Sequence, residues 1–364
     1  MGVLVDRRLF LSIDFPLLFA VLLLCGLGCV NLKSICCFSE ADYFSKQLVW
    51  VLLGFLLMVV IINTNYIKIL RSSYFFHSFS VVLLVFVYFF GTSKYGAQSW
   101  LNVAGFNLQP SEIAKITFIL LIAKCFSENL PQKDIRGKDM ILPFLLLGLT
   151  IAPICIQPDL GTASMFIITF LSMVFFVNIN KKFVGVFFSS CLFLTPAVWF
   201  FLKDYQKVRI RFFLNPELDP LNAGYQLIQS KIAIGSGGLF GKGFMQGTQS
   251  HLRFLPEQHT DFVFSVWAEE WGFIGCLFLI LIVFFIIYRG LRIAHECKNL
   301  SGTYLAVGIT VYFFWQAIIN ILMTLGLFPV VGVPFPFFSY GGSGMVTSFM
   351  GVAFLLNIGM RKIK

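Results

Sequence analysis

Ten apolar segments run along this 364-residue chain, and each is long enough to cross a lipid bilayer. A membrane-spanning helix needs about 20 mostly apolar residues, because in hydrocarbon each backbone polar group must be satisfied within the protein. The sequence is 58% hydrophobic and 12% charged, whereas soluble domains carry about 25% charged residues. These features predict an all-α polytopic membrane protein with a single domain, residues 1–364. The predicted spans are residues 11–31, 46–64, 73–91, 110–127, 140–157, 161–179, 182–203, 262–289, 303–326 and 341–360.

Lysine and arginine residues divide unevenly between the two sides of these spans. The connections on the side of the N-terminus carry fifteen of them, and the short connections on the other side carry three. The positive-inside rule therefore places both termini in the cytoplasm and puts a long loop, about residues 204–261 between spans 7 and 8, outside the cell. The net charge of +10 follows from this topology, so we expect the bilayer and no nucleic acid as the partner of the basic residues.

The second half of the long loop contains a candidate amphipathic helix around residues 224–238. Leu227, Ile228, Ile232 and Ile234 form its apolar side, and the opposite side carries polar residues, which are Gln226, Gln229, Ser230 and Lys231. Such a pattern is typical of a helix that lies in the membrane interface. A connector that merely shields the bundle remains an alternative.

Three clusters of ionisable residues fall at the outer ends of predicted spans. Glu112 and Lys115 are three residues apart, so they share one helix face and can pair. Asp159 can cap the span that follows it, and Asp261 can do the same. A carboxylate next to His259 at a wet membrane edge also suits abstraction of a proton from a sugar hydroxyl. Ordering of a helix start, capping and base catalysis therefore remain open for these residues.

Residues 320–344 interrupt the ninth and tenth spans with three prolines and paired glycines. Broken backbone at membrane depth is tolerated only against protein or a water-filled cavity. Glu269 and Glu270 lie inside an apolar run, and we expect them in the bundle interior, paired or protonated. The sequence thus concentrates its polar groups on the outer half of the membrane.

Six motifs in this order resemble the SEDS family (shape, elongation, division and sporulation). They are GAQSWL (96–101), QPSEIAKI (109–116), QPDLGTA (157–163), GYQLIQSKIAIGSGG (224–238), FLPEQHTDFVF (254–264) and PFPFFSYGGSG (334–344). Residues 213–220 and 242–257 resemble the rod-shape branch of the family more than its division branch. The resemblance covers nearly the whole chain.

This resemblance implies a peptidoglycan glycosyltransferase of the cytoplasmic (inner) membrane. Such proteins polymerise lipid II, a disaccharide-pentapeptide on undecaprenyl diphosphate, at the outer face of that membrane during cell elongation. Their partners are a class B penicillin-binding protein and other membrane proteins of the elongation complex. The resemblance makes Asp261 the essential carboxylate, adds Glu112, Lys115 and Asp159 as catalytic residues, and places Trp100 at the substrate.

The chemistry of the reaction agrees with these assignments. Transfer from an α-linked diphosphate donor to a β-1,4 linkage inverts the anomeric carbon, so it needs a base on the acceptor hydroxyl and positive charge at the leaving diphosphate. Asp261 is the predicted general base. A divalent cation, Mg²⁺ or Mn²⁺, held by Asp159 or Asp261 is an open alternative to basic side chains. The candidate cations are Lys115, Arg209, Arg211, Lys231 and Lys242, and Glu257, His259 and Ser339 are further substrate-binding candidates.

Three other functions compete with an elongation polymerase. A division-type polymerase of the same family would use the same chemistry. A flippase or transporter for the lipid-linked precursor would also have broken helices and buried carboxylates, but it needs polar groups through the whole membrane depth. A noncatalytic scaffold for wall synthesis predicts that changing Asp261 leaves polymerisation intact.

Overall fold

The computed structural model describes residues 12–37, 42–94, 97–103, 106–130, 137–177, 223–252 and 254–361, together with residue 207. The described chain is a helical bundle with one small antiparallel sheet. Seven of its helices are long and apolar enough to cross a membrane, which confirms an all-α polytopic membrane protein. The α-helices are α1 (Phe15–Cys36), α2 (Tyr43–Asn63), α3 (Tyr66–Arg71), α4 (Ser73–Phe90), α5 (Pro110–Asn129), α6 (Ile141–Ile156), α7 (Leu160–Phe175), α8 (Ala223–Ser236), α9 (Thr248–His251), α10 (Val263–Glu296), α11 (Leu300–Thr324) and α12 (Gly342–Arg361).

Nine of the ten predicted spans coincide with these helices, and the predicted span 182–203 lies outside the described residues. Helix α7 has 16 residues, so it is shorter than a typical span, whereas α6 reaches 20 residues together with the turn that precedes it. Helix α5 is long enough but carries Glu112 and Lys115, both buried. A 3-10 turn, Gly137–Met140, precedes α6. The strands β1 (Thr92–Lys94), β2 (Ala97–Val103) and β3 (Phe106–Leu108) form the sheet between α4 and α5, in the order β1-β2-β3.

Asp159 and Asp261 were both predicted to cap a helix, and the structure confirms the prediction for Asp159 alone. Asp159 caps α7, because its Oδ1 accepts a hydrogen bond of 3.0 Å from the backbone N–H of Thr162. Helix α10 instead begins after Phe262 and has no side-chain capping bond, so capping by Asp261 is wrong. Helix α5 begins at Pro110, whose fixed φ suits the first helical position.

The core of the bundle is built around α12, which is buried along nearly its whole length. It packs against α2, α5 and α11. Helix α4 lies at the periphery and carries exposed phenylalanines, including Phe75 and Phe89, which are 70% and 67% exposed. Large apolar side chains on the outside of a membrane protein face lipid, which accounts for much of the phenylalanine content.

Helix α8 is confirmed as a helix, but the predicted orientation of its faces is partly wrong. Leu227, Ser230 and Ala233 are buried, whereas Ile232 is 45% exposed. The hydroxyl of Ser230 lies 2.7 Å from that of Ser265 on α10. Ser230 and Ala233 are three residues apart, so their small side chains lie on one face of the helix. On this face α8 approaches α10 and α11 closely, while Ile232 points away.

A break in α10 at Gly272 is bridged by a turn that follows α8. Gly272 has φ 65° and ψ −163°, a conformation that is readily available only to glycine. The break would leave the carbonyls of Glu269 and Glu270 and the N–H groups of Phe273 and Ile274 without helical partners. Residues 238–243 supply these partners through backbone bonds, which are Lys242 N–H to Glu269 O (3.0 Å), Gly243 N–H to Glu270 O (3.0 Å), Phe273 N–H to Gly238 O (2.9 Å) and Ile274 N–H to Leu239 O (3.2 Å).

Glu269 and Glu270 are both buried beneath this turn, as expected from the sequence. Oε1 of Glu269 pairs with Nζ of Lys242 at 2.7 Å and accepts the backbone N–H of Gln249 at 3.0 Å. Glu270 accepts a short hydrogen bond from Ser34 on α1. The two carboxylates therefore hold residues 238–249 and α1 against the N-terminal part of α10.

Candidate active site

A cavity of about 300 Å³ lies where the sheet, two helix starts and two loop segments meet. Its walls come from β2, the start of α5, the start of α7, the turn 257–261 and the segment 330–345. Seven of the predicted site residues meet here although they are far apart in the sequence. These residues are Trp100, Glu112, Asp159, Glu257, Asp261 and Ser339, with Lys115 directly behind Glu112.

Trp100 reaches the cavity from strand β2 of the small sheet. The sequence analysis predicted Trp100 as a site residue but did not predict this sheet. Trp100 lies opposite Thr92 in the pairing of β1 with β2, and β2 also pairs with β3. The hydroxyl of Ser99 donates a 3.4 Å hydrogen bond to Oδ2 of Asp159. The available signal in the sequence was the run SWLNV between Gly96 and Gly105, because Trp and Val favour strands.

Asp159 is held rigidly at the start of α7. Besides its capping bond, its Oδ2 accepts a 2.8 Å hydrogen bond from the hydroxyl of Thr162. Gly161 packs so closely on Val331 that a Cβ at position 161 would collide with the carbonyl of Val331. The glycine of the PDLG sequence therefore lets the start of α7 contact the segment 330–345.

The turn 257–261 places Asp261 at the cavity by an unusual backbone conformation. Glu257 has φ 51°, a left-handed value that is uncommon for residues other than glycine. Its carbonyl accepts hydrogen bonds from the N–H groups of Thr260 and Asp261, both at 3.1 Å. Opposite the Asp261 carboxylate lies Gly332, where an added Cβ would be 3.6 Å from Oδ2.

Glu112 and Lys115 form the predicted pair. Nζ of Lys115 lies 2.6 Å from Oε1 of Glu112, and both side chains are 5% exposed. Nζ also lies 5.4 Å from the ring centroid of Tyr312, and the hydroxyl of Thr347 donates to Oε2 of Glu112 at 3.4 Å. Glu112 lines the cavity, so the pair joins a buried cation to the cavity wall.

Two of the other predicted cations lie away from this cavity. Lys231 is on the exposed side of α8 and packs over Gly326, and Lys242 is paired with Glu269. Arg209 and Arg211 lie outside the described residues. Among the residues that the structure describes, the lining contains four carboxylates but no lysine or arginine. The described part of the cavity is therefore acidic.

His259 and Ser339 support the turn that carries Asp261. The His259 ring stacks on Tyr43 with centroids 4.2 Å apart. Burial lowers the pKa of His259, while the Glu257 carboxylate, 3.9 Å away, acts in the opposite direction. The hydroxyl of Ser339 donates to the Thr260 carbonyl at 2.6 Å and accepts the N–H of Phe335 at 2.8 Å.

Uncharged polar residues complete the lining, and the sequence reading did not assign them to the site. Gln316 is the most informative, because it is 1% exposed within a mostly apolar span and lines the cavity. A glutamine inside a span is a signal of the same kind as an intramembrane charge. The others are Gln109, Gln226, Ser343 and Ser348.

The donor set for a divalent cation is limited in the described ranges. They contain no group of three or more histidine, cysteine, aspartate or glutamate residues arranged to hold a metal ion. Asp159 and Asp261 do line one cavity, and Mg²⁺ commonly binds through one or two carboxylates plus substrate phosphates. A cation that arrives with a phosphorylated substrate therefore fits these residues, whereas a resident ion held by protein ligands alone does not.

Three proteins similar to this chain are named as peptidoglycan glycosyltransferases. The protein named peptidoglycan glycosyltransferase MrdB from Escherichia coli is 41% identical over 76% of this chain and 75% of its own length. Peptidoglycan glycosyltransferase RodA from Treponema pallidum is 32% identical, covering 96% of this chain and 98% of its own. A probable peptidoglycan glycosyltransferase FtsW from Trichlorobacter lovleyi is 37% identical over 95% and 92%.

Solved structures share the fold over nearly the whole chain. A chain from a structure described as structural coordination of polymerization and crosslinking by a peptidoglycan synthase complex has a TM-score of 0.84 and 29% identity, covering 97% of this chain and 99% of its own. The rod shape determining protein RodA of Thermus thermophilus gives 0.72 and 28%, covering 97% and 98%. The family model described as cell cycle protein, FtsW/RodA/SpoVE, matches residues 15–364. The chain therefore belongs to the FtsW/RodA/SpoVE family.

Proposed function

We propose that the cavity is the active site of a peptidoglycan glycosyltransferase that polymerises lipid II during cell elongation. The observation that carries this proposal is the convergence of Trp100, Glu112, Asp159 and Asp261 on one cavity from four separate elements. Relatives named peptidoglycan glycosyltransferase support the reaction class, and the residues that resemble the rod-shape branch favour elongation over division.

Asp261 is the general base of the proposed mechanism. It accepts the proton of the acceptor hydroxyl as that oxygen attacks the anomeric carbon, and the diphosphate leaves from the opposite face. A positioned base contributes about 10²–10⁴-fold to such a step. Trp100 offers an indole to the substrate sugar, and the buried Lys115 pairs with Glu112 at the cavity wall.

The leaving diphosphate needs positive charge, which the described lining does not supply. In the proposal this charge comes from Arg209 and Arg211 in the outer loop, or from a divalent cation that enters with the substrate. When bound, the cation would offset charge on the diphosphate oxygens, and Asp159 and Asp261 are the residues able to hold it. The two sources are distinguished by activity after chelation with EDTA.

The decisive experiment replaces Asp261 with asparagine, which keeps the shape of the side chain but removes the base. Purified protein would be incubated with fluorescent lipid II and its partner, and the glycan strands would be resolved on a gel. We expect a loss of at least 100-fold. Asp42→Asn is the matched control, since Asp42 is a cap at the start of α2 and asparagine caps equally well.

Wild-type polymerisation by Asp261→Asn would disprove the base assignment. The same preparations in liposomes that contain labelled lipid II would test the transporter alternative. Translocation that needs Asp261, with no strands formed, would favour a flippase over a polymerase.

The proposal requires the cavity to face the outside. The uneven distribution of basic residues supports this orientation, with the loop 204–261 on the outer side. Leu252 is 61% exposed, so cysteine at this position in a cysteine-free background should react with an impermeant maleimide in intact cells. Labelling only after permeabilisation would place the loop, and the proposed site, in the cytoplasm.

The proposed partner is a class B penicillin-binding protein, which would crosslink the strands. Small residues such as Gly351 on α12 would suit close packing of a partner helix, but α12 is mostly buried, and a Cβ on Gly351 would lie 2.7 Å from Cζ of Phe313. Gly351 therefore serves internal packing. A groove between α10 and α11, lined only by apolar residues that include Phe284 and Ile318, offers a lipid-facing surface for a single-span partner.

Filling the groove tests this surface. Ile318→Trp should weaken co-purification of the partner and its stimulation of polymerisation, because the indole occupies the space for the partner helix. Leu281→Trp is the control, since Leu281 is exposed on α10, the other helix beside the groove, but does not line it. Equal partner binding by both variants would remove the groove from the proposal and leave the enzyme assignment intact.

A further inference from the structure

The three consecutive carbonyls of His259, Thr260 and Asp261 are each held by a donor from the last quarter of the described chain. The backbone N–H of Tyr340 donates to the His259 carbonyl at 2.9 Å. The Ser339 hydroxyl donates to the Thr260 carbonyl at 2.6 Å. The third bond comes from a side chain of α11, the Asn320 amide, whose Nδ2 lies 3.0 Å from the Asp261 carbonyl.

Asn320 links the two walls of the cavity that face each other at Asp261. Its side chain is fully buried, and its second N–H donates to the Val333 carbonyl at 2.8 Å. Val333 lies between Gly332 and Pro334, which both line the cavity. One amide group therefore fixes the distance between the turn that carries Asp261 and the opposite segment.

The hydrogen bonding of Asn320 indicates that this residue serves as a donor to two carbonyls. Oδ1 of Asn320 is buried without a hydrogen-bond partner among the described residues, which destabilises the folded state. Rotating the amide by 180° would aim this oxygen at two carbonyls, so the orientation is fixed. An apolar residue of similar volume would avoid the cost, so packing alone does not account for an asparagine here.

We propose that Asn320 and Ser339 are positioning residues that hold the Asp261 carboxylate at the reacting hydroxyl. This inference rests on the proposed function, because it assumes that Asp261 is the base. Helix α10 has no side-chain cap, so these donors from outside supplement the turn's own bonds to the Glu257 carbonyl. Displacement of a catalytic group by about 1 Å can reduce the rate roughly 100-fold.

The test compares Asn320→Leu with Asn357→Leu. Asn357 is also fully buried, and its Nδ2 donates to the carbonyls of Ile61 and Thr64, both at 2.6 Å, in a part of the bundle that does not line the cavity. Both variants should lower the thermal midpoint. Only Asn320→Leu should lower kcat for lipid II polymerisation, at least tenfold, with KM within twofold of wild type.

Equal kcat for the two variants would overturn the proposal. If Asn320→Leu does not fold, Ser339→Ala and Ser339→Thr provide the same comparison, because threonine keeps the hydroxyl that holds the Thr260 carbonyl. We expect the alanine variant to lose kcat and the threonine variant to recover it, and equal kcat for these two would also refute the inference.

The outcome for Asp261→Asn is independent of these variants. If Asp261→Asn is inactive while Asn320→Leu and Ser339→Ala retain wild-type kcat, the positioning inference fails and the proposed function stands. If Asp261→Asn is fully active, the base assignment fails, and with it the role proposed for both positioning residues.

Discussion

Replacing Lys115 with methionine should destabilise the protein more than replacing Lys115 and Glu112 together. The two charged groups are 2.6 Å apart and their side chains are 5% exposed. Methionine leaves the Glu112 carboxylate buried with the 3.4 Å bond from Thr347. Removing one partner of a buried ion pair costs about 3–5 kcal/mol.

The double variant Glu112→Leu/Lys115→Met removes both charges and leaves none unpaired. Exchanging a buried ion pair for apolar residues of similar volume is often neutral, or stabilising by about 1–4 kcal/mol. Both variants lose the contact between Lys115 and the Tyr312 ring, which contributes about 0.5–2 kcal/mol. The stability of the double variant should therefore exceed that of Lys115→Met by about 3 kcal/mol, more than a hundredfold in the folding equilibrium.

Equilibrium unfolding in mixed micelles, followed by tryptophan fluorescence, would measure these differences. Arg292→Met is the control, since Arg292 pairs with Glu296 at 2.7 Å but is 50% exposed, and exposed pairs contribute little. A double variant as unstable as Lys115→Met would refute the reasoning, because the cost would then come from packing. Lys115→Met and the double variant should both lose polymerisation, because each changes Glu112 or its partner and Glu112 lines the cavity.

Two further predictions concern backbone strain and protonation. Gly272→Ala should lower the thermal midpoint, because the φ of 65° with ψ of −163° costs about 1–3 kcal/mol for a residue with a Cβ and that atom would collide with the backbone of Gly241. Gly148→Ala, in open space on α6, should have no such effect. Burial lowers the pKa of His259, so near the pKa of the unfolded state the folded protein binds fewer protons than the unfolded chain. The stability contributed by neutral His259 is therefore fully present above its ordinary pKa. It is lost as the pH falls from the ordinary pKa towards the lowered pKa of the folded state. Unfolding midpoints at pH 7 and pH 5 should therefore differ less for His259→Gln than for wild type, and an equal difference would show that His259 does not contribute.

The helices could be predicted from the sequence because each one depends on a property that is local along the chain. An apolar run such as Ser73–Phe90 has one stable state in lipid, whatever its neighbours are. The cap at Asp159 and the proline at the start of α5 are equally local. The sheet was missed because its strands have 3, 7 and 3 residues, too few for a period of two to stand out from the adjacent spans.

The candidate site was predictable in its composition but not in its contacts. Glu112, Asp159 and Asp261 were conspicuous because carboxylates are costly near a membrane. Lys231 lies outside the site because of the face of α8 that packs inward, and Lys242 lies outside it because Lys242 pairs with Glu269. The sequence reports neither contact. The role of Asn320 depends on a contact across 59 positions of sequence, which hydrophobic periodicity does not report.

The break at Gly272 has a consequence for the order in which the protein is assembled during synthesis. Most helices of a bundle can enter the membrane one at a time, because each satisfies its own backbone. The N-terminal part of α10 lacks this independence, since four of its backbone bonds are made by residues 238–243. These residues leave the ribosome before α10, so their turn can dock as the helix arrives. A chain in which α8 and its turn were moved behind α12 should accumulate with α10 unprotected, as a substrate for membrane proteases.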